Sequence, residues 1–158
     1  MSYLVDGNNV MGQRVGWHRD KPRARLVLLG ELGAFAARKG ASVAVVFDGA
    51  PDEFIREGAL YQGVRVHYAA RGSDADARIK SLVEASRQRR TLRVVTSDRA
   101  LADYVRRCGV EVIRSGEFRK MLEEEAGGED AGGRKKEVRS DDTSHWLRYF
   151  GVGPDDDE

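Results

Sequence analysis

Short runs of β-branched and other apolar residues alternate along this chain with longer segments of helical periodicity. This alternation is typical of a parallel sheet whose strands are joined by helices, and not of a β-sandwich or a helical bundle. We therefore predict an α/β fold with a central, mostly parallel, five-stranded sheet. The predicted strands are 3–5, 42–47, 64–68, 92–96 and 110–113, and the predicted helices are 22–39, 73–87, 100–108 and 116–125.

The charge of the chain is distributed unevenly. Residues 1–120 contain 22 Lys and Arg against 14 Asp and Glu, whereas residues 121–158 contain 5 against 12. We predict one domain over 1–125, which is an ordinary domain size, and a flexible acidic tail over 126–158 with an aromatic docking segment at 143–150. Because clustered cations gain affinity by releasing counterions from phosphates, the basic body predicts a polyanionic partner.

The ends and the cysteine content of the chain bear on its compartment. No stretch approaches the roughly 20 apolar residues of a membrane span, and the first residues lack the features of a signal peptide. Cys108 is the only cysteine, which excludes an intramolecular disulfide and a cysteine-built zinc site. We expect a cytoplasmic protein with no membrane partner. The sequence predicts no oligomeric state.

Acidic residues follow the predicted strands at the points where those strands end. Asp6 ends the first strand, Asp48 follows the second, and Asp98 follows the fourth. Asp74 and Asp76 lie at the start of the helix predicted from residue 73. Because ligands of an open α/β sheet bind beyond the carboxyl ends of its strands, we expect these five acids to converge on one edge.

A cluster of carboxylates is costly unless a cation neutralises it. The ligand atoms available near the strand ends are carboxylate, amide and hydroxyl oxygens, without a nearby His or Cys. Oxygen ligands of this kind suit Mg²⁺ or Mn²⁺ and disfavour zinc. In phosphodiester hydrolysis such an ion activates a water molecule and stabilises charge on the attacking and leaving oxygens.

Each acid also has a purely structural interpretation. Asp48 before Gly49 is explained by a turn, and Ser73 with Asp76 resembles a capping box. Asp98 is explained as the cap of the helix that follows it. Either Asp74 or Asp76 is explained in the same way. It is the coincidence of all these acids at one edge that favours a functional site.

Four motifs together carry a resemblance to a known family. They are Leu4–Val10 (LVDGNNV), Val45–Gly49 (VVFDG), Ala75–Ile79 (ADARI) and Val94–Asp98 (VVTSD). Over about residues 3–122 the chain resembles the YacP-like branch of the NYN domain ribonucleases, which are relatives of the PIN nucleases. The resemblance implies a PIN-like three-layer α/β/α fold and a metal-dependent endoribonuclease. It also implies mRNA cleavage at the ribosome, which some members of the family perform.

The resemblance implies an acidic catalytic site at four positions of this sequence, with neighbouring polar residues in support. The catalytic positions are Asp6, Asp48, Asp76 and Asp98, the expected metal ligands are Asp6, Asp74, Asp76 and Asp98, and the supporting residues are Asn8, Asn9 and Ser97. Asp74 departs from the family pattern, which more often has another polar residue there. The segment after residue 126 lies outside the resemblance.

A basic and aromatic loop that follows the first motif is the first candidate for RNA contacts. It contains Arg14, Trp17, Arg19, Lys21, Arg23 and Arg25, and an aromatic ring among cations is able to stack on a base. Arg71, Arg78 and Arg99 are second candidates because they lie near the predicted acidic edge. We interpret Arg87, Arg89 and Arg90 as structural, since cations at the end of a helix are stabilised by its dipole.

Alternative functions use the same residues differently. A structure-specific DNA nuclease would need the same acids and differ only in substrate. An RNA-binding adaptor would keep the fold while its acids serve as helix caps. A nucleotide-binding regulator is disfavoured because no Gly-x-Gly-x-x-Gly follows the first strand. An aspartyl phosphatase is disfavoured because that strand is not followed by Asp-x-Asp.

Overall fold

The computed structural model describes residues 1–69 and 74–132, with side chains as far as residue 124. The chain divides into two units, Met1–Arg119 and Lys120–Glu158. The sheet and every site considered below belong to the first unit. The described part of the second unit is a helical segment from Lys120 to Gly132.

The elements follow one another in the order that the sequence predicts, with a few additions. The strands are β1 (Ser2–Asp6), β2 (Ser42–Phe47), β3 (Leu60–Tyr61), β4 (Val64–Tyr68), β5 (Leu92–Val95) and β6 (Glu111–Ile113). The helices are α1 (Gly7–Met11), α2 (Lys21–Lys39), α3 (Ala75–Ala85), α4 (Arg99–Arg107) and α5 (Ser115–Gly132), with a 3₁₀ turn at Trp17–Arg19 between α1 and α2.

The six strands form one sheet in the order β3-β4-β2-β1-β5-β6. Every pairing is parallel except that of β3 with β4. From β1 the chain first builds outward through β2 and β4, and it later returns to the other side of β1 with β5. The strand order therefore reverses between β1 and β5, and a crevice at such a reversal is where open α/β sheets bind ligands.

The sheet is packed between two helical layers, as the predicted three-layer fold requires. On one face the rings of Tyr3, Phe35 and Phe118 contact one another, with centroids 5.1 to 6.0 Å apart, and these residues come from β1, α2 and α5. On the other face Leu4 and Val94 pack with residues of α3 and α4. Adjacent residues of β1 thus supply opposite faces, as the pleat of a strand dictates. No helix in the described ranges is long and apolar enough to cross a membrane.

The structure corrects the predicted strand count from five to six. The additional strand β3 pairs with β4 across a tight turn at Gln62 and Gly63, both of which have positive φ. A two-residue strand carries no readable periodicity, so the sequence predicted an irregular stretch there. Three helical segments were also not predicted: α1, the 3₁₀ turn at Trp17–Arg19 and the continuation of α5 through residues 126–132. The predicted tail beyond residue 132, including 143–150, lies outside the described residues.

The start and end of α2 show how local sequence sets an element. Asp20 accepts a hydrogen bond from the backbone N–H of Arg23, and Pro22 occupies the first turn, where its missing N–H costs nothing. Gly40 ends the helix in the left-handed region, at φ +62°. These signals explain why the predicted helix 22–39 differs from α2 by a single residue.

Gly7 connects β1 to α1 at a point where no side chain fits. A Cβ at this position would lie 2.6 Å from Cδ1 of Phe47 and 2.9 Å from Cγ2 of Val45, two fully buried side chains. We expect Gly7→Ala to lower the free energy of unfolding by about 1–3 kcal/mol, because the core must shift to admit the methyl group. Urea unfolding of the purified variant measures this.

Gly116→Ala is the matched control, since a Cβ there lies 3.4 Å from its nearest neighbour and the residue is helical. We expect it to leave the stability unchanged or to raise it slightly. A Gly7→Ala protein as stable as the unsubstituted one would contradict the assigned packing.

Candidate active site

Asp6 is a buried acid at the carboxyl end of the central strand. It ends β1 and is 8% exposed. Burial raises its pKa to about 6. The hydroxyl of Thr96 and the backbone amide of Asn9 act in the opposite direction, whereas the charges of Asp48 and Asp98 raise the pKa further. Asp6 is thus a carboxyl group whose negative charge is poorly stabilised by the protein alone.

Because β2 and β5 pair parallel with β1 on its two sides, Asp48 and Asp98 follow their strands at the same edge of the sheet as Asp6, and the charges of both raise its pKa. Thr96 connects two of them, because its Oγ1 donates to Oδ2 of Asp6 at 3.0 Å and accepts from the N–H of Asp98 at 3.1 Å. Thr96 is itself 1% exposed, so this link is rigid. The cluster lies at the reversal of strand order between β1 and β5.

Asp48 is held from two sides. Its N–H donates to Oδ1 of Asn8 at 2.9 Å, which ties the loop after β2 to α1. Its own Oδ1 accepts the N–H of Ala75 at 2.7 Å, which ties the same loop to the start of α3. Asp48 therefore connects the acids at the strand ends to the start of α3, where Asp76 directly follows Ala75.

Asn9 connects α1 to the loop after β5 and to the start of α5. Its Oδ1 accepts the N–H of Ser97 at 2.8 Å and the hydroxyl of Ser115. The N–H of Ser115 in turn donates to Oγ of Ser97 at 3.0 Å. Asn8 and Asn9 thus fix the loops after β2 and β5 from the centre, and this arrangement positions Asp48 and Asp98.

Two of the five acids cap helices. Oδ1 of Asp74 accepts the N–H of Ala77 at 3.0 Å and caps α3, and Oδ1 of Asp98 accepts the N–H of Leu101 at 3.1 Å and caps α4. The cap of α3 is therefore Asp74, and Ser73 lies outside the described residues. A cap uses one carboxylate oxygen. The second oxygen of Asp98 accepts no hydrogen bond from the described part of the chain.

Asp76 has an unusual environment for an acid. Its Oδ2 lies 3.3 Å from Nζ of Lys80, one helical turn away. Its Oδ1 is buried and has no hydrogen-bond partner among the described residues. A buried carboxylate oxygen without a partner is costly, and a cation or a cation-bound water would satisfy it.

The oxygen atoms at this edge suit a hard dication that keeps some of its water ligands. They do not form a site in which protein ligands alone enclose the ion. Among the described residues no group of three or more His, Cys, Asp or Glu side chains lies close enough to hold a metal ion. Mg²⁺ commonly keeps several waters and takes one or two carboxylates together with substrate phosphate oxygens, so it needs no such group. The unpartnered oxygen of Asp76 and the raised pKa of Asp6 agree with a site of that kind.

Arg25, a member of the basic loop, is directed into the protein. Its guanidinium donates to the carbonyl oxygens of Asp48 at 2.6 Å and Ala50 at 3.0 Å. It also lies over the rings of Phe47 and Tyr68, 5.1 and 5.3 Å from their centroids. Its contacts hold the backbone that carries Asp48, which sequence reasoning did not anticipate.

The other predicted RNA contacts of the loop surround a cleft. Arg14, Trp17, Arg19 and Arg23 all line it, and Nζ of Lys21 lies 5.8 Å from the centroid of the Trp17 ring. Trp17 is half-buried, whereas the four cations are exposed. The structure therefore groups the candidates that the sequence singled out in this loop, apart from Arg25.

Arg78 is engaged in an ion-pair cluster. Nη2 of Arg78 and Nδ1 of His67 lie 2.9 and 2.8 Å from Oε2 of Glu57, whose Oε1 accepts the N–H of Tyr68. Although burial acts in the opposite direction, these hydrogen bonds lower the pKa of Glu57. These ion pairs give Arg78 a structural role. Arg71 lies outside the described residues.

Arg99 borders a polar groove of about 530 Å³ beside the acidic cluster. Thr96, whose hydroxyl donates to Asp6, lines this groove together with Ser97, Asp103, Arg106 and Arg114. Sequence reasoning missed Arg106, Arg114 and the linking role of Thr96. Only the position of Thr96, a polar residue at the end of a buried apolar strand, was a signal that the sequence offered.

Comparison with known proteins agrees with this fold. The sequence profile of the YacP-like NYN domain matches residues 3–148. The crystal structure of Rae1 (YacP) from Bacillus subtilis superposes with a TM-score of 0.69 at 22% identity, covering 96% of this chain and 88% of the other. The structure of a tryptophan-to-leucine variant of Rae1 gives 0.67 at 21% identity, covering 96% and 98%.

No curated protein sequence matches the chain. The two crystal structures share its fold, and the profile match extends over most of its length. The fold is thus shared with solved structures, and the profile match assigns the chain to a nuclease-like family. The chain belongs to the YacP-like NYN domain family.

Proposed function

We propose that this protein is a divalent-metal-dependent endoribonuclease that hydrolyses phosphodiester bonds of single-stranded RNA. The observation that carries the proposal is Asp6, a buried carboxyl with a raised pKa that is surrounded by the charges of Asp48 and Asp98. Buried acids with strongly shifted pKa values concentrate at functional sites. Membership of a nuclease-like family supports the same reaction class.

The residues of this chain hold the proposed site in a fixed geometry. Asp6 and Asp98 are joined through Thr96, so they are the best placed to bind Mg²⁺ or Mn²⁺ together. Asp48 and Asp76 complete the acidic edge, while one oxygen of Asp74 remains the cap of α3. When bound, such an ion supplies an activated water and stabilises negative charge on the phosphoryl oxygens.

Cations beside the acidic edge would position the substrate. Arg99 and Arg114 line the polar groove that Thr96 also lines, and their charges suit the phosphates of a nucleic-acid strand. The cations around Trp17 would bind the strand on the other side of β1. The cleavage of mRNA at the ribosome, a property of some family members, remains a prediction for this protein.

One observation favours the alternative of a non-catalytic RNA-binding adaptor. Asp48, Asp74 and Asp98 each use one oxygen to accept a backbone N–H, as structural acids do. The two functions differ in whether the remaining oxygens bind an ion. A substitution that keeps the cap and removes the charge therefore separates them.

Asp98→Asn is that substitution, because Asn caps a helix as well as Asp does. We expect it to lower the rate of Mg²⁺-dependent cleavage of a single-stranded RNA by more than about 100-fold, the upper range for residues that merely support a metal ligand. RNA affinity should be retained or improved, since a negative charge is removed. Cleavage is followed with an end-labelled oligonucleotide, and affinity by anisotropy without metal.

Asp52→Asn is the matched control, because Asp52 also accepts a backbone N–H, that of Phe54, but belongs to none of the four motifs. It should cleave at the unsubstituted rate. Cleavage retained by Asp98→Asn would remove Asp98 from the mechanism. RNA binding by the unsubstituted protein without any metal-dependent cleavage would establish the adaptor. Preference for DNA of matched sequence would establish the DNA nuclease.

A further inference from the structure

A cleft of about 220 Å³ lies between the segment Arg14–Asp20 and the outer side of α2. Met11 at the end of α1 and Val27 and Leu28 of α2 give it an apolar wall. Its volume is below the range typical of pockets for drug-sized ligands, so a smaller flat group is the better fit.

Trp17 borders this cleft and is half-buried in the free protein. Its ring makes an edge contact with His18, and Lys21 lies above it. A partly exposed aromatic ring beside cations is a usual platform for an unpaired base, whose stacking does not depend on its sequence. The cleft thus has the chemistry of a nucleobase site.

Buried charges form one side of the cleft. Glu31 accepts from Nη1 of Arg119 at 2.8 Å through one oxygen and from Nη2 of Arg14 at 2.7 Å through the other. The Arg119 side chain is 8% exposed, and its Nε is buried without an acceptor among the described residues. This leaves a donor unsatisfied in a residue that lines the cleft, and a ligand carrying acceptor oxygens or nitrogens would compensate for it.

The remaining cations at the cleft are available for phosphate. The side chains of Arg19 and Arg23 form no ion pair with any side chain of residues 1–69 and 74–124, and both are exposed. The acids that line the cleft are already engaged, Glu31 by two arginines and Asp20 by the N–H at the start of α2. The rim is therefore positively charged towards an approaching strand.

The cleft also lies close to the acidic edge. Asp6 immediately precedes α1, and Met11 at the end of this short helix lines the cleft. Five helical residues span about 7 Å, which corresponds to roughly two nucleotides along a strand. A strand with its phosphodiester at Asp6 is thus able to place a nearby base in the cleft.

We propose that this cleft is a subsite for one unpaired nucleotide near the scissile bond, with its base stacked on Trp17 and its phosphates held by Arg19 and Arg23. This inference rests on the proposed function and adds to it the residues that cause its preference for a flexible single strand. A base within a duplex is already stacked between its neighbours and does not enter. The subsite would make the protein select single-stranded segments by shape and stacking.

The test uses the intrinsic fluorescence of Trp17. The full chain carrying Trp146→Phe keeps Trp17 as its only tryptophan, and a further Asp6→Asn prevents cleavage. Titration with a short single-stranded RNA, without metal, should quench the fluorescence in parallel with binding measured by anisotropy. A duplex of the same sequence should not quench it. Trp17→Ala should weaken single-strand affinity by about 5- to 150-fold, and Trp17→Phe should restore most of it.

Phe54→Ala and Arg87→Ala are the matched controls, an exposed aromatic residue and an exposed cation away from the cleft. Both should bind RNA normally. If RNA binds without quenching Trp17, and if Trp17→Ala binds RNA as tightly as the protein that keeps Trp17, the subsite proposal is wrong. The nuclease proposal would still stand. Cleavage by the unsubstituted protein of duplex and single strand at equal rates would also overturn it. An absence of any RNA binding would remove the proposed function itself.

Discussion

Asp6→Asn is expected to abolish RNA cleavage and, at the same time, to raise the free energy of unfolding by up to about 3 kcal/mol near pH 7. The gain arises because the protein buries a carboxylate that it does not fully stabilise. Asparagine has almost the same shape and still accepts one of the two hydrogen bonds that Asp6 accepts, from the hydroxyl of Thr96 or from the backbone N–H of Asn9. The substitution therefore removes a charge and keeps the packing.

The pH dependence of this effect has a definite sign. The pKa of Asp6 is about 6 in the folded protein, whereas a carboxyl group of this kind in the unfolded chain has its ordinary pKa of 3.8. Between these values the folded state binds more protons than the unfolded state, so the contribution of Asp6 to stability falls as the pH rises. The difference between the two proteins should be near zero below about pH 4, grow to about pH 6 and then remain constant.

Urea unfolding of both proteins at several pH values measures this difference. Asp52→Asn serves as the control and should differ from the unsubstituted protein by an amount that does not follow this pH profile. An Asp6→Asn protein that is less stable near pH 7, or a stability difference that is independent of pH, would contradict the assigned environment of Asp6.

The same experiment connects stability to the proposed metal site. A ligand that binds only the folded state stabilises it by mass action. Mg²⁺ should therefore raise the stability of the unsubstituted protein above about pH 6 and leave Asp6→Asn unchanged, which narrows the gap between them. Equal stabilisation of both proteins by Mg²⁺ would place the ion elsewhere.

Much of the fold was predictable because its signals are local and repeated. The strands 42–47 and 64–68 agree with β2 and β4 in both bounds, since β-branched runs between turn residues leave little choice. Pro22 in the first turn of α2 and Gly40 at its end were similarly readable. The strand β3 and the helix α1 were not, because each is too short for a period and depends on contacts with distant residues.

For the site, the sequence predicted which acids follow the strands. The parallel topology of the sheet explains why these acids lie at one edge. Parallel strands bring Asp6 and Asp98 to the same edge whatever residues lie between them. Whether an acid caps a helix or faces a ligand was left open, and the structure shows that Asp98 directs only one oxygen to its cap. The pairing of Arg119 with Glu31 involves residues 88 positions apart, and no local pattern announces it.

Arg25 shows most clearly how a cation can be assigned to the wrong partner by sequence alone. It lies in the first part of α2, in a basic stretch that was expected to contact RNA, but its guanidinium binds two backbone carbonyls on either side of Gly49. We expect Arg25→Ala to lower the free energy of unfolding by about 2–4 kcal/mol, because these carbonyls lose charged donors and the stacking on Phe47 and Tyr68 is lost.

The effect on activity should take a form that a phosphate contact would not produce. Without Arg25 the backbone of Asp48 is no longer held, so kcat should fall by about 10- to 100-fold while RNA affinity and KM change little. Arg25→Lys should rescue neither stability nor kcat, since an ammonium group lacks the planar fork that spans two acceptors. Arg23→Ala should show the opposite pattern, with weakened RNA affinity and normal stability. Two results would contradict this role: full stability and kcat in Arg25→Lys, or an Arg25→Ala protein whose main defect is weaker RNA binding. Either result would mean that Arg25 acts through its positive charge and not through the geometry of its guanidinium group.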